Sequence, residues 1–141
     1  MRAGGIESGL KELLYDLQTK TQGLAGFVLF TKDGFPIVST VEFGDMYRGE
    51  FQEVTDGEFF AAIGAGILSL AQRTLEQMSM MPLTRLLVES PRGNVIVEQV
   101  DDELGIMAIS YPGIPVGLVR MAVESARRKV KQFMEEEGEV M

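Results

Sequence analysis

The chain has 141 residues with no His, Cys or Trp, 45% hydrophobic residues, and 13 Lys and Arg against 21 Asp and Glu, a formal net charge of -8. One domain of this length buries roughly two thirds of its unfolded surface without a staple. Without imidazole or thiol, Ser-His-Asp and Cys-His catalysis, thiolate redox chemistry and zinc-finger coordination are excluded.

The acidic balance also argues against nucleic-acid binding, which needs a positive face for phosphates. No apolar run is long enough to span a membrane, and the start lacks the pattern of a signal peptide. A single domain over 1–141 is expected, cytoplasmic, with no nucleic-acid or membrane partner and no cofactor or metal. The charge is uneven: Glu42 to Glu58 holds six acids and one base, and Glu98 to Glu103 holds four acids and no base.

Ile6, Leu10, Leu13, Leu14 and Leu17 recur with helical spacing opposite Glu7, Lys11, Glu12 and Asp16, predicting an amphipathic helix that Gly23 stops. Ala25 to Thr31 is a short apolar run rich in strand formers, Lys32-Asp33-Gly34 supplies a tight turn, and Pro36 to Val41 returns as a second strand. The acidic stretch from Glu42 to Thr55 reads as a loop, long enough to be functional or mobile. Thr55 and Glu58 then have capping-box spacing for a second helix to about Met78.

Leu83 to Ser90, Asn94 to Val100 and Leu104 to Ser110 form a meander of three strands around Pro91-Arg92-Gly93 and Asp101-Asp102-Glu103. After the Tyr111-Pro112-Gly113 loop comes a last helix, its apolar face running from Val119 to Met134, and residues 135–141 are expected to fray. The order α-β-β-α-β-β-β-α gives an α+β domain, a five-stranded antiparallel sheet with helices on both faces. Leu86-Leu87-Val88 and Val95-Ile96-Val97, apolar on both alternating sides, fit strands covered twice.

The second helix has two adjacent apolar arcs. Phe59, Phe60, Ile63, Ile67, Leu70, Ala71 and Met78 make an ordinary core stripe, while Ala61, Gly64, Leu68 and Leu75 extend the dry surface. Ser69, Gln72, Arg73 and Glu76 are left for water. Small residues, Ala65 among them, permit close backbone approach, and so large an apolar surface marks an interaction site. An isologous contact between two copies of this helix is expected. A helix simply buried within one subunit is the plainer alternative. Gly64-Ala65-Gly66 lacks the full GxGxxG and sits mid-helix, so it does not read as a nucleotide loop.

These elements resemble the Roadblock/LC7 family over about Ile6 to Met134. The likeness is carried by Leu10-Lys11-Glu12-Leu13-Leu14, Asp33-Gly34-Phe35-Pro36-Ile37-Val38, the alanine-rich helix Phe60 to Ala71, and Gly117-Leu118-Val119-Arg120 opening the last helix. The resemblance implies a non-enzymatic homodimer or heterodimer, paired through the second helix and third strand into one continuous sheet. It also implies regulation or scaffolding of Ras-like small GTPases. On that basis Ala61, Gly64, Ala65, Leu68, Leu75, Leu86 and Val88 are expected at a dimer interface, and Gln72, Arg73, Glu76 and Arg85 at a GTPase contact. The long acidic loop and the Tyr111 loop depart from the family pattern, so partner preference does not carry over.

The function expected is a homodimeric GTPase-regulating or scaffolding module with no active site of its own. If it stimulates hydrolysis, Arg73 is the first candidate for an arginine supplied in trans, with Arg85 and Arg92 behind it. A surface Arg more often serves solubility. The alternative from another class is a small-molecule or signal-sensing domain with a cavity between sheet and helices. Hydrolysis on Asp101, Asp102 and Glu103 is weaker, since acids at a turn tip are normally solvated turn formers. Arg127, Arg128, Lys129 and Lys131 are expected to neutralise Glu135, Glu136 and Glu137 rather than bind a membrane.

Overall fold

The computed structural model describes residues 3–42 and 56–140. Its elements are α1 (Ala3–Lys20), β1 (Leu24–Thr31), β2 (Pro36–Ser39), α2 (Asp56–Gln77), β3 (Leu86–Ser90), β4 (Gly93–Gln99), β5 (Leu104–Ser110) and α3 (Val116–Val140). All pairings are antiparallel, and the strands lie in the order β2-β1-β5-β4-β3. The element order and α+β class are those expected. Thr55 and most of the acidic loop, 43–55, lie outside the described residues.

Strand position explains strand composition. β5, the centre of the sheet, is buried at every residue from Leu104 to Ser110, and β1 is buried from Leu24 through Phe30. Such strands have neighbours on both edges and helices over both faces, so their apolar runs are continuous. β2 is short and opens with Pro36, whose missing N–H suits an edge. The turn before it runs through Gly34 at φ 93°.

One face is roofed by α1 and α3. Leu10, Leu14 and Leu17 of α1, with Val119, Val123, Ala126 and Val130 of α3, close over Phe27, Leu29, Ile96 and Ile106. Each of these apart from Ala126 contributes about 1.5–3 kcal/mol on burial. Among the described residues the other face has only α2, whose Ala61, Ala65 and Leu68 cover Val28, Phe30, Val97 and Met107.

Five strands span about 19 Å between the outermost pair, while one helix with its side chains is about 10–12 Å across. α2 lies mainly over β1 and β2, so the β3 side of this face is unroofed. β3 was expected to be covered twice; instead Leu87, Val88, Glu89 and Ser90 are exposed. The physical reason is its place at the edge, where α2 on one face and α3 on the other reach mainly the strands inside it. The strand also starts at Leu86 rather than Leu83.

Two helix ends complete the fold. α2 closes in a Schellman motif: Met80 N–H donates to the Leu75 carbonyl at 2.8 Å and Ser79 N–H to that of Glu76 at 3.1 Å, with Ser79 at φ 56°. α3 continues to Val140, where fraying was expected from Glu135. Its acidic end is rich in helix-forming Glu, and the Gln132 amide donates to the Glu136 carboxylate one turn on at 3.1 Å.

Candidate functional site

The rotation of α2 about its axis decides what the domain presents, and it is set by Phe30. A Cβ built on Gly64 would lie 2.8 Å from the Phe30 ring, and one on Gly105 2.6 Å from it. The ring fills the space between helix and sheet, and only small residues let α2 descend onto it. Ala61 and Leu68 are buried for the same reason, as are Gly64 and Ala65.

This reverses the expected assignment of the two arcs. Ala61, Gly64, Ala65 and Leu68, expected at an interface between copies, face their own sheet. Phe59, Ile63, Leu70 and Met78, expected in the core, are exposed, Leu70 at 63% and Met78 at 61%. Helical spacing shows two apolar arcs but not which one meets the sheet. The small residues that permit close approach to another helix equally permit close approach to a phenylalanine below.

The remaining interface candidates gather elsewhere. Leu75, Leu86 and Val88 line a groove of about 500 Å³ between α2 and β3, together with Ile67, Leu70, Ala71, Thr74 and Leu83. Almost every atom lining it is carbon. The groove joins the exposed strip Phe59, Ile63 and Leu70 on one side and the open edge of β3 on the other, where Val88 is 49% exposed. A second depression of about 360 Å³ continues past Val88 to Ser90, Arg92 and Asn94 at the β3–β4 hairpin.

The contact candidates divide in the same way. Arg73 and Glu76 are exposed on α2. Gln72 is half-buried, its amide donating to the Gln99 side chain of β4 at 2.7 Å. Arg85 lies on the opposite face of the sheet, its Nε donating to Glu98 Oε2 at 3.2 Å. It is therefore engaged within its own subunit rather than offered on the α2 face.

Glu98 is the residue that sequence reasoning missed. Its place in a strand was expected, but it was otherwise read only as one acid of the Glu98 to Glu103 run; its side chain is 2% exposed, and Arg127 Nε of α3 donates to its other oxygen at 3.0 Å. The available signal was strand parity: Glu98 shares its face with Ile96 and Val100, both in the core beneath α3. Arg127 correspondingly pairs with Glu98 rather than with the acidic end of α3. At the turn itself, Asp101 Oδ1 accepts the N–H groups of Glu103 and Leu104 at 2.8 and 2.9 Å, as a turn-forming acid does.

The described residues form an α+β domain whose sheet is roofed by two helices on one face and by a single, outwardly apolar helix on the other. The Roadblock/LC7 domain model matches residues 10–110, and the chain belongs to the Roadblock/LC7 family. By sequence it is similar to MJ1340 of Methanocaldococcus jannaschii, 26% identical over 113 residues that cover 79% of this chain and 89% of that protein. In structure it is similar to MglB of Myxococcus xanthus, with 16% identity, a TM-score of 0.75, and coverage of 92% of this chain and 90% of that one. It is also similar to an MglB described in a tetrameric arrangement, with 13% identity, a TM-score of 0.76, and coverage of 93% and 91%.

Proposed function

We propose that the chain is a homodimeric protein-interaction module that pairs through α2 and β3 and regulates or scaffolds a Ras-like small GTPase, without an active site of its own. The observation that carries this reading is the apolar surface from Phe59, Ile63 and Leu70 through the groove to Val88, beside a strand edge that is unpaired among the described residues. Apolar surface of this extent rimmed by charge marks a protein contact, and a free edge is a template for another strand. A second copy offers both complements at once, an apolar helix and an antiparallel β3, in a two-fold arrangement. The family resemblance supports this mode of pairing, and the MglB described as tetrameric shows the fold in an assembly.

A ligand cavity between sheet and helices is the weaker reading, because Phe30 fills the space under α2. Of the expected contact residues, Arg73 and Glu76 remain free to meet a GTPase; they flank the apolar strip rather than lie inside it. The test is nucleotide exchange and hydrolysis by small GTPases recovered on the immobilised chain from the source cell. The reading predicts a changed rate with the parent chain, and loss of any hydrolytic stimulation in Arg73→Ala if Arg73 acts in trans. Unchanged rates for every GTPase recovered would contradict regulation.

A further inference from the structure

We propose that Glu98 holds the rim of the α2–β3 groove from behind, through the sheet, and couples it to α3; this rests on reading that groove as the pairing surface. The rim is the segment between α2 and β3, which has no regular structure from Ser79 to Arg85 yet contributes Leu83, and through β3 Leu86, to the groove. Something must fix its position. Leu86 pairs with Val97, so Arg85 stands opposite Glu98 one step beyond the ladder, and its guanidinium meets the carboxylate on the face away from the groove. Arg127 reaches the same carboxylate from α3.

The carboxylate is almost fully buried while the two arginine side chains are about one-third exposed, 30% and 32%. A buried carboxylate is tolerated only while partnered. Each arginine occupies a different oxygen, so Glu98 divides its charge between the rim and the third helix. Displacing one arginine leaves the carboxylate to move toward the other. A change beside Arg127 on α3 is thereby transmitted to Arg85, and so to the placement of Leu83 and Leu86.

Amide hydrogen exchange and self-association of Glu98→Gln test the first part. Amides 83–88 should exchange about tenfold faster, those of β5 should be unchanged, and self-association should weaken about five- to tenfold. Glu98→Leu, which keeps an apolar core at that position, should give the same pattern if the glutamine variant folds poorly. Parental exchange at 83–88, or faster exchange spread evenly over the molecule, would overturn the proposal. A loosened rim with unaltered self-association would instead count against the groove as interface.

Arg127→Met tests the coupling. The Arg85 Nε–H and amides 84–87 should shift in NMR spectra although Arg127 belongs to α3; shifts confined to α3 and β4 would overturn it. Repeating the exchange measurement in Leu70→Glu, which the pairing reading predicts to be monomeric, separates the two claims. A Leu70→Glu variant that still pairs counts against the groove as interface, while the exchange pattern judges Glu98 alone.

Discussion

Two glycines a half-turn apart on α2 have opposite duties. Gly64 faces Phe30, and Gly66 has nothing within 4 Å of its would-be Cβ. Alanine at either position should gain up to about 1 kcal/mol of helix propensity. At 64 that gain is outweighed by overpacking of about 1–3 kcal/mol against the aromatic ring. Chemical denaturation should therefore find Gly64→Ala less stable than the parent and Gly66→Ala more stable by about 0.5–1 kcal/mol. Equal effects at the two sites would mean that α2 does not sit on Phe30. Ser79 carries a smaller expectation: it holds the left-handed position of the Schellman motif without being glycine. Ser79→Gly should raise the melting temperature, the relieved strain of about 1–2 kcal/mol exceeding the added chain entropy of about 0.5–1 kcal/mol. A lower melting temperature would contradict the αL assignment.

At the scale of elements, what could be read from the chain divides by range. α1, the β1–β2 hairpin and the β3–β4–β5 meander were legible because each is written locally, in a period of Leu10, Leu14 and Leu17, in Lys32-Asp33-Gly34, and in Asp101-Asp102-Glu103 between apolar runs. Three features depend on where an element sits rather than on what it is. Leu86-Leu87-Val88 reads like Val95-Ile96-Val97, of which Ile96 and Val97 are buried, and only the strand order leaves β3 at the edge. The two arcs of α2 are equally apolar, and only the Phe30 ring selects between them. Glu98 reads as one more acid of the Glu98 to Glu103 run until α3 and Arg85 are brought to it. Of the interface candidates, Leu75, Leu86 and Val88, which line the groove, are those outside the small-residue arc.

β3 gives the prediction proper to this scale. Val88→Lys places a charge on the groove side of an edge strand, where half the side chain is already in water. Its cost to the isolated subunit should be small, within about 0.5 kcal/mol for a surface change. Its cost to pairing should be large, because a lysine on an edge opposes strand addition. Sedimentation velocity should show Val88→Lys dissociating at concentrations where the parent pairs. Identical sedimentation of the two would exclude β3 from the interface.

For the whole molecule, the formal charge of -8 and the apolar α2–β3 face act on different distances. Net charge keeps copies apart and acts over about 8 Å at physiological ionic strength, whereas burial of Phe59, Ile63 and Leu70 acts only on contact. Added salt should therefore strengthen pairing by screening the repulsion, a sign opposite to that of an interface built on ion pairs. Pairing shows most directly in the mass of the particle. Light scattering of the eluting protein at micromolar concentration should give twice the 15.5 kDa of one chain, and Leu70→Glu, with the fold retained, should give the single mass. A parent that scatters as one chain, or a Leu70→Glu variant that pairs as the parent does, would contradict it.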